Sequence, residues 1–338
     1  MKINKRKVLG RVVLYASILS LGLLVSILSF EFGTTNVSFI RSLIFGVEEK
    51  TDLQILRIRV LQSFAVLLTG IALAISGFIL QRIMRNNLVD PGITGVLSGS
   101  ALGVTIFSVL SIDTITNFSM MRIAFSLIFG LLAGTVVMLI SAVSKDSLKV
   151  VIFGVMLNSF LSGTIVLIQS FLNPYKLQQT FSFLLGSVVI PSNQFAIICG
   201  VIVLASAIGL IFFSKKLDII SLGDIDAHVL GINIRLWRSV FLVFTILLSS
   251  TAVSLSGVVG FVGFVIPNIV SLLFHRLSFL DTKDGIILSG IIGGTFLQAC
   301  FVVSRILLPM YELPIGIITG LIGAPIFWLV LLKMSLSK

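Results

Sequence analysis

The chain has 338 residues, of which 57% are hydrophobic and 11% charged. Soluble domains carry about 25% charged residues, so this composition excludes a soluble enzyme, a disulfide-built scaffold and a disordered chain. Lysine and arginine outnumber aspartate and glutamate 24 to 13, but the basic residues fall between apolar blocks, which points to membrane orientation and anionic headgroups rather than nucleic acid.

A membrane helix needs about 20 apolar residues. Cutting the apolar blocks at charges, prolines and polar clusters predicts spans over 12–30, 60–81, 92–111, 122–143, 150–172, 194–213, 236–256, 258–274, 285–304 and 313–332. The first block follows Lys2, Lys5, Arg6, Lys7 and Arg11 as a signal peptide would. It is too long for a typical signal core and lacks a small-residue cleavage site, so a retained helix is expected. The division between the seventh and eighth spans is the weakest, because Gly257 and Gly260 mark either a full loop or only a bend there. Residues 31–59 form a long outer loop. Residues 214–235 form an inner one, read as two short helices lying along the membrane face, with Leu217, Ile220 and Leu222 on the first and Ala227, Leu230 and Ile234 on the second.

With the amino terminus inside, seventeen basic residues fall on the cytoplasmic side and seven on the other. This bias supports an even span number and two cytoplasmic termini. The expected fold class is therefore all-α: one polytopic domain over residues 1–338, with ten transmembrane helices. Glycines recur four apart at Gly95/Gly99/Gly103, Gly130/Gly134, Gly290/Gly294 and Gly316/Gly320, a spacing that lets helix backbones approach closely in lipid.

None of the acidic residues falls near the middle of a span, which weighs against an ion-coupled secondary carrier and against an intramembrane aspartyl protease. His228 and His275 lie in loops, and Cys199 and Cys300 sit alone in apolar stretches, so no metal or haem site is expected from this chain. No P-loop sequence is present. If transport is uphill, another subunit supplies the energy. There are no candidate catalytic residues, and this chain is expected to carry no cofactor.

Three stretches then converge: GIALAISGFILQRIMRNNLVDPGITGVLSGSALG at 70–103; the inner loop with GDIDAHVLGINI, followed by SGVVGFVGFVIPNIVSLL at 256–273; and ELPIGIITGLIGAPIFWLVLLK at 312–333. Together these resemble the FecCD family, the permease subunits of bacterial ABC importers for iron–siderophores, haem and cobalamin. The resemblance implies a ten-helix, multi-pass permease of the bacterial cell membrane that pairs with an identical or paralogous second permease. It also implies two cytoplasmic ATPase subunits that bind ATP and magnesium, and an extracellular substrate-binding lipoprotein. Ferric siderophore is the first expectation for cargo, with haem and cobalamin as alternatives. The alternative from another class is a secondary carrier working without an ATPase.

The resemblance also implies roles. Gly223, Asp224, Ala227, Leu230 and Gly231 match the family's ATPase-coupling segment, and Ile225 joins Leu230 as an apolar group able to fill a pocket on a soluble partner. Arg59 and Arg305 match arginines that meet acidic residues of the binding protein. The family's RxPR pattern is broken here by Val60, Leu61 and Gln62, so Arg57 is a substitute of shifted position. On the fifth span, Asn158, Ser162 and Gln169 fall on one helical face, with Ile165 between. They are expected either to face the translocation path or to bond to a neighbouring helix. Asn268 stands where many members carry histidine after the proline.

Overall fold

The computed structural model describes residues 5–33, 39, 50–110, 118–143, 147–188, 192–277, 280–307 and 313–336. Among these the regular structure is helical. In chain order the helices are α1 (Lys5–Glu31), α2 (Lys50–Met84), α3 (Val96–Leu110), α4 (Phe118–Val143), α5 (Ser147–Gln169), α6 (Pro174–Leu184), α7 (Asn193–Phe212), α8 (Ser214–Leu222), α9 (Asp224–Val229), α10 (Ile234–Ser256), α11 (Val262–Arg276), α12 (Thr282–Leu307) and α13 (Ile315–Leu336).

Each of the ten predicted apolar segments coincides with a helix. Seven of these are long and apolar enough to cross a membrane; α3, α11 and α13 are shorter apolar helices. The elements between them differ from expectation. The outer loop ends before Lys50, because α2 begins there and carries Arg57 and Arg59 inside it. The third segment opens with a 3-10 turn, Pro91–Thr94, capped by the Asp90 side chain and closed by Gly95 at φ 73°. An additional helix, α6, follows α5; Asn173 caps it by accepting from Lys176 N, and Pro174 occupies its first position. The chain between α10 and α11 is non-helical over 257–260, so those glycines mark a true break.

Helix α2 is the axis of the bundle. Its apolar stretch is largely buried, and it packs against α12, α10, α11, α7 and α1. Such crossings need small residues because lipid supplies no hydrophobic drive between helices. A Cβ at Gly70 would strike the Gly293 carbonyl of α12, and one at Gly77 the Gly263 carbonyl of α11. The predicted glycine pairs behave similarly. Gly99 and Gly103 of α3 lie against Phe129 and Phe125 of α4, while Gly290 and Gly294 of α12 face Ile75, Ile71 and Leu67 of α2.

Short hydroxyl side chains complete the interior. Thr69 of α2 lies 2.7 Å from the Ser256 hydroxyl of α10, and Ser249 donates to Ser76 at 3.2 Å. At the other end of α2, Ser29 donates to Ser63 at 2.8 Å and Ser26 to Gln298 at 2.7 Å, joining α1, α2 and α12. Interhelical hydrogen bonds of this kind bind helices where no water competes.

Candidate functional site

The loop 214–235 folds as two short helices, as its spacing predicts. They meet at Gly223, whose φ of 141° is a conformation that side chains resist. A second turn ends α9. The Gly231 N–H donates to His228 O and the Ile232 N–H to Ala227 O, both at 3.0 Å, with Gly231 at φ 73°. This is a Schellman end, which fixes the direction in which the chain leaves the helix. Asn233 then caps α10 by accepting from Leu236 N. Inward-facing Ala227, Leu217 and Ile220 are fully buried.

The outward face is apolar: Ile225 is 82% exposed and Val229 80%, with Leu222 and Leu230 also exposed. Beside them a groove of about 930 Å³ runs between α9 and the start of α10, lined by Ile225, Val229, Ile232 and Ile234. Polar His228 and Asp226 flank the ridge, both exposed.

Asp224 has a different position from its apolar neighbours. Its carboxylate turns back to Arg238 of α10, at 3.1 Å, and to Arg85 after α2, at 3.4 Å. Arg238 is nearly buried, at 8% side-chain exposure, whereas Asp224 is 39% exposed. The loop is thus pinned at its midpoint to two membrane helices. Sequence reasoning missed Arg85 and Arg238 as partners; Arg238 follows the loop directly, whereas Arg85 lies 139 residues before Asp224.

A further tie lies nearby. Asn268 of α11 donates to Asn87 O at 3.0 Å and to Phe264 O at 2.7 Å, holding the α2–α3 turn. In that turn, burial pushes the Asp90 carboxyl up to about 6, against the lowering effect of its bond from Gly92 N.

At the far end of the bundle, Arg59 and Arg305 are both buried within the chain. Arg305 donates to the carbonyls of Ser29 at 3.3 Å and Phe32 at 3.2 Å, bonds to Gln62, and stacks on Phe301 at 3.9 Å. Arg59 donates to the Glu31 carbonyl at 3.1 Å. Both guanidinium groups therefore cap the carbonyl end of α1, where a cation offsets the helix dipole. Arg57 is exposed, at the rim of an apolar groove that includes Leu56, Val60 and Phe64.

On α5, the Asn158 side chain bonds to the Ser98 hydroxyl of α3, Ile165 is buried, and Ser162 is exposed. The Gln169 amide nitrogen is buried with no hydrogen-bond partner. The predicted stripe is thus split: Asn158 faces a neighbouring helix, and Ser162 faces outward. Most of the α5 surface is uncovered, Phe160 and Val166 included.

These features belong to a helical, multi-pass membrane protein, and comparison with known proteins gives its kind. The profile of the FecCD transport family matches residues 18–333, and the chain belongs to that family. A Helicobacter pylori protein named "probable iron chelatin transport system permease protein" is 36% identical over 287 residues, covering 83% of this chain and 84% of that one. A vitamin B12 import system permease of Escherichia coli is 31% identical over 286 residues, with 83% and 84% covered. A hemin transport system permease of Yersinia pestis is 28% identical over 284 residues, with 82% of each covered. A solved chain from an ABC transporter assigned to the metal-chelate type, in an inward-facing conformation, aligns with TM-score 0.80 at 27% identity, over 94% of this chain and 98% of that one. The protein is an ABC transporter permease: a multi-pass transport subunit rather than an enzyme.

Proposed function

We propose that this chain is the permease of an ABC importer that carries an iron–siderophore complex into the cytoplasm by alternating access. In this reading all ten apolar helices cross the bacterial cell membrane as a single domain, and both termini are cytoplasmic. A second permease, identical or paralogous, covers the open face of α5, with Ser162 beside the path. An extracellular binding lipoprotein delivers the cargo near the outer ends of α2 and α12. There Arg57 is the exposed candidate for docking, while Arg59 and Arg305 stiffen the surface beneath. Two ATPase subunits bind ATP and magnesium, and this chain holds no cofactor.

The observation that carries the proposal is the exposed apolar ridge of Leu222, Ile225, Val229 and Leu230 on a loop fixed at three points. Large apolar groups held outward on rigid backbone are costly in water and suit a pocket on a soluble partner. The rigid support lets a push on the ridge reach α2 and α10. The higher identity to the iron chelatin relative than to the vitamin B12 and hemin permeases supports an iron chelate as cargo.

The test is reconstitution of the permease with its ATPase and binding protein in liposomes. Ile225→Asp and Leu230→Asp are expected to insert normally and to abolish cargo-stimulated ATP hydrolysis. Normal stimulation in both variants refutes the coupling assignment. Cargo uptake by the chain alone, driven by an ion gradient, refutes the importer reading.

A further inference from the structure

On the same side of the bundle as the loop, a pocket of about 550 Å³ opens between α2, α8 and α12. Its polar wall is Arg82, Ser214, Lys215, Asp218, Thr282 and Lys283. Nothing in the coupling scheme uses it.

Arg82 lies in the last turn of α2, with its guanidinium carbon 5.1 Å from the Phe78 ring centre and 5.4 Å from that of Phe274. Two aromatic contacts hold the guanidinium, and the Asp218 carboxylate on the same wall meets part of its charge. The Ser214 hydroxyl is buried in the wall and has no hydrogen-bond partner. A buried donor without an acceptor is unfavourable, and an incoming oxygen would relieve it. Lys215 and Lys283 are exposed at the rim.

The acidic groups are engaged. Asp218 accepts from the Thr282 hydroxyl. Asp281, also on the wall, pairs with Arg11 at 2.9 Å, and Arg11 lies 3.2 Å from Asp284 behind it. Three cations face two carboxylates, so the wall carries a single excess positive charge. Helix α8 also begins at this wall, at Ser214 and without a side-chain cap, whereas the start of α12 is already met by Asp284, which accepts from Asp281 N. The positive end of α8 adds to the attraction for an anion.

A pinned guanidinium fork, two mobile ammonium groups and an unpaired hydroxyl together match a tetrahedral oxyanion. We propose that this pocket binds a phosphate group, supplied by the diester headgroup of an anionic phospholipid or by free phosphate. A single excess charge suits a diester, and the pocket lies where α2 ends and α8 begins its course along the bundle face. Bound phosphate would tie α8 to α2 and α12, beside the coupling ridge.

The test follows the melting midpoint of the purified full-length chain against added phosphatidylglycerol, phosphatidylcholine and inorganic phosphate. A saturable rise is expected with phosphatidylglycerol or phosphate and not with phosphatidylcholine. Lys215→Gln/Lys283→Gln, which changes only exposed side chains, should weaken the apparent affinity at least tenfold. Lys149→Gln/Arg235→Gln removes the same charge elsewhere and should leave affinity within twofold. A response to phosphatidylglycerol alone assigns the site to lipid, and a response to inorganic phosphate as well assigns it to the free anion too. No response to either anion, an equal response to phosphatidylcholine, or equal weakening in both double variants overturns the proposal.

Discussion

Replacing Asp224 by alanine tests whether the loop is pinned through its charge. The carboxylate has two partners of unequal burial: Arg238 at 8% side-chain exposure and Arg85 at 44%. The Arg238 Nε is also buried without a hydrogen-bond partner, so Asp224 is the main compensation for that guanidinium. Removing one member of a fully buried pair costs about 3–5 kcal/mol. Asp224 itself is 39% exposed, and solvent screening reduces the expected loss to about 1–2 kcal/mol. Arg238→Met removes the buried charge and leaves Asp224 with Arg85, at a cost below about 1 kcal/mol. The double variant should therefore be more stable than Asp224→Ala alone, with a coupling of about 1 kcal/mol. Thermal unfolding of the purified chain reads this as a midpoint fall of about 2–4 °C for Asp224→Ala, partly restored by the second substitution. Hydrogen exchange over 224–231 should quicken in parallel. Strictly additive midpoints, or an Asp224→Ala midpoint equal to the wild type, would refute the argument.

Gly77→Ala sets a methyl against the Gly263 carbonyl of α11 and should lower stability by about 1–3 kcal/mol, seen as a lower melting midpoint. Gly163→Ala, with nothing within 4 Å of the new Cβ, should instead be neutral or gain up to about 1 kcal/mol of helix propensity. Asp90→Asn keeps the acceptor for Gly92 N and removes an ionisation that burial opposes. The folded carboxyl titrates at about 6, above the usual value of about 3.9. Its contribution is therefore fully present at lower pH and lost as pH rises through 6. The variant should melt higher than wild type at pH 7.5 and the same at pH 4. Gly231→Ala strains a backbone at φ 73° and should cost about 1 kcal/mol, with faster exchange confined to the end of α9.

The apolar helices were legible in the sequence because a bilayer requires long uninterrupted apolar runs, a signal that survives without knowledge of packing. The two short helices of 214–235 were legible through their punctuation, Gly223 and Gly231. Helix α6 escaped notice because its sequence PYKLQQTFSFL mixes polar and apolar residues. Asn173 followed by Pro174 was a readable start signal nonetheless. The roles of Arg59 and Arg305 were hidden for a different reason. A basic residue at a helix end reads as facing outward, and nothing local reveals that the last carbonyls of α1, some 28 residues before Arg59 and 276 before Arg305, will come to meet it. The pairing of Asp224 with Arg238 was hidden by the same kind of non-local closure, across 14 residues.

The notched crossings of α2 with α11 and α12 carry a mechanical consequence. Where one backbone rests directly against another, no flexible side chain remains to absorb a slide, and a shift of even part of a turn would drive carbonyls into carbons. The spine and its two closest companions must therefore travel together as one stiff piece. The bare flanks of α5 and α13 lie outside this piece, yet each helix is notched at one point of its own, Gly154 of α5 against the Ile93 carbonyl and Gly316 of α13 against the Leu185 carbonyl.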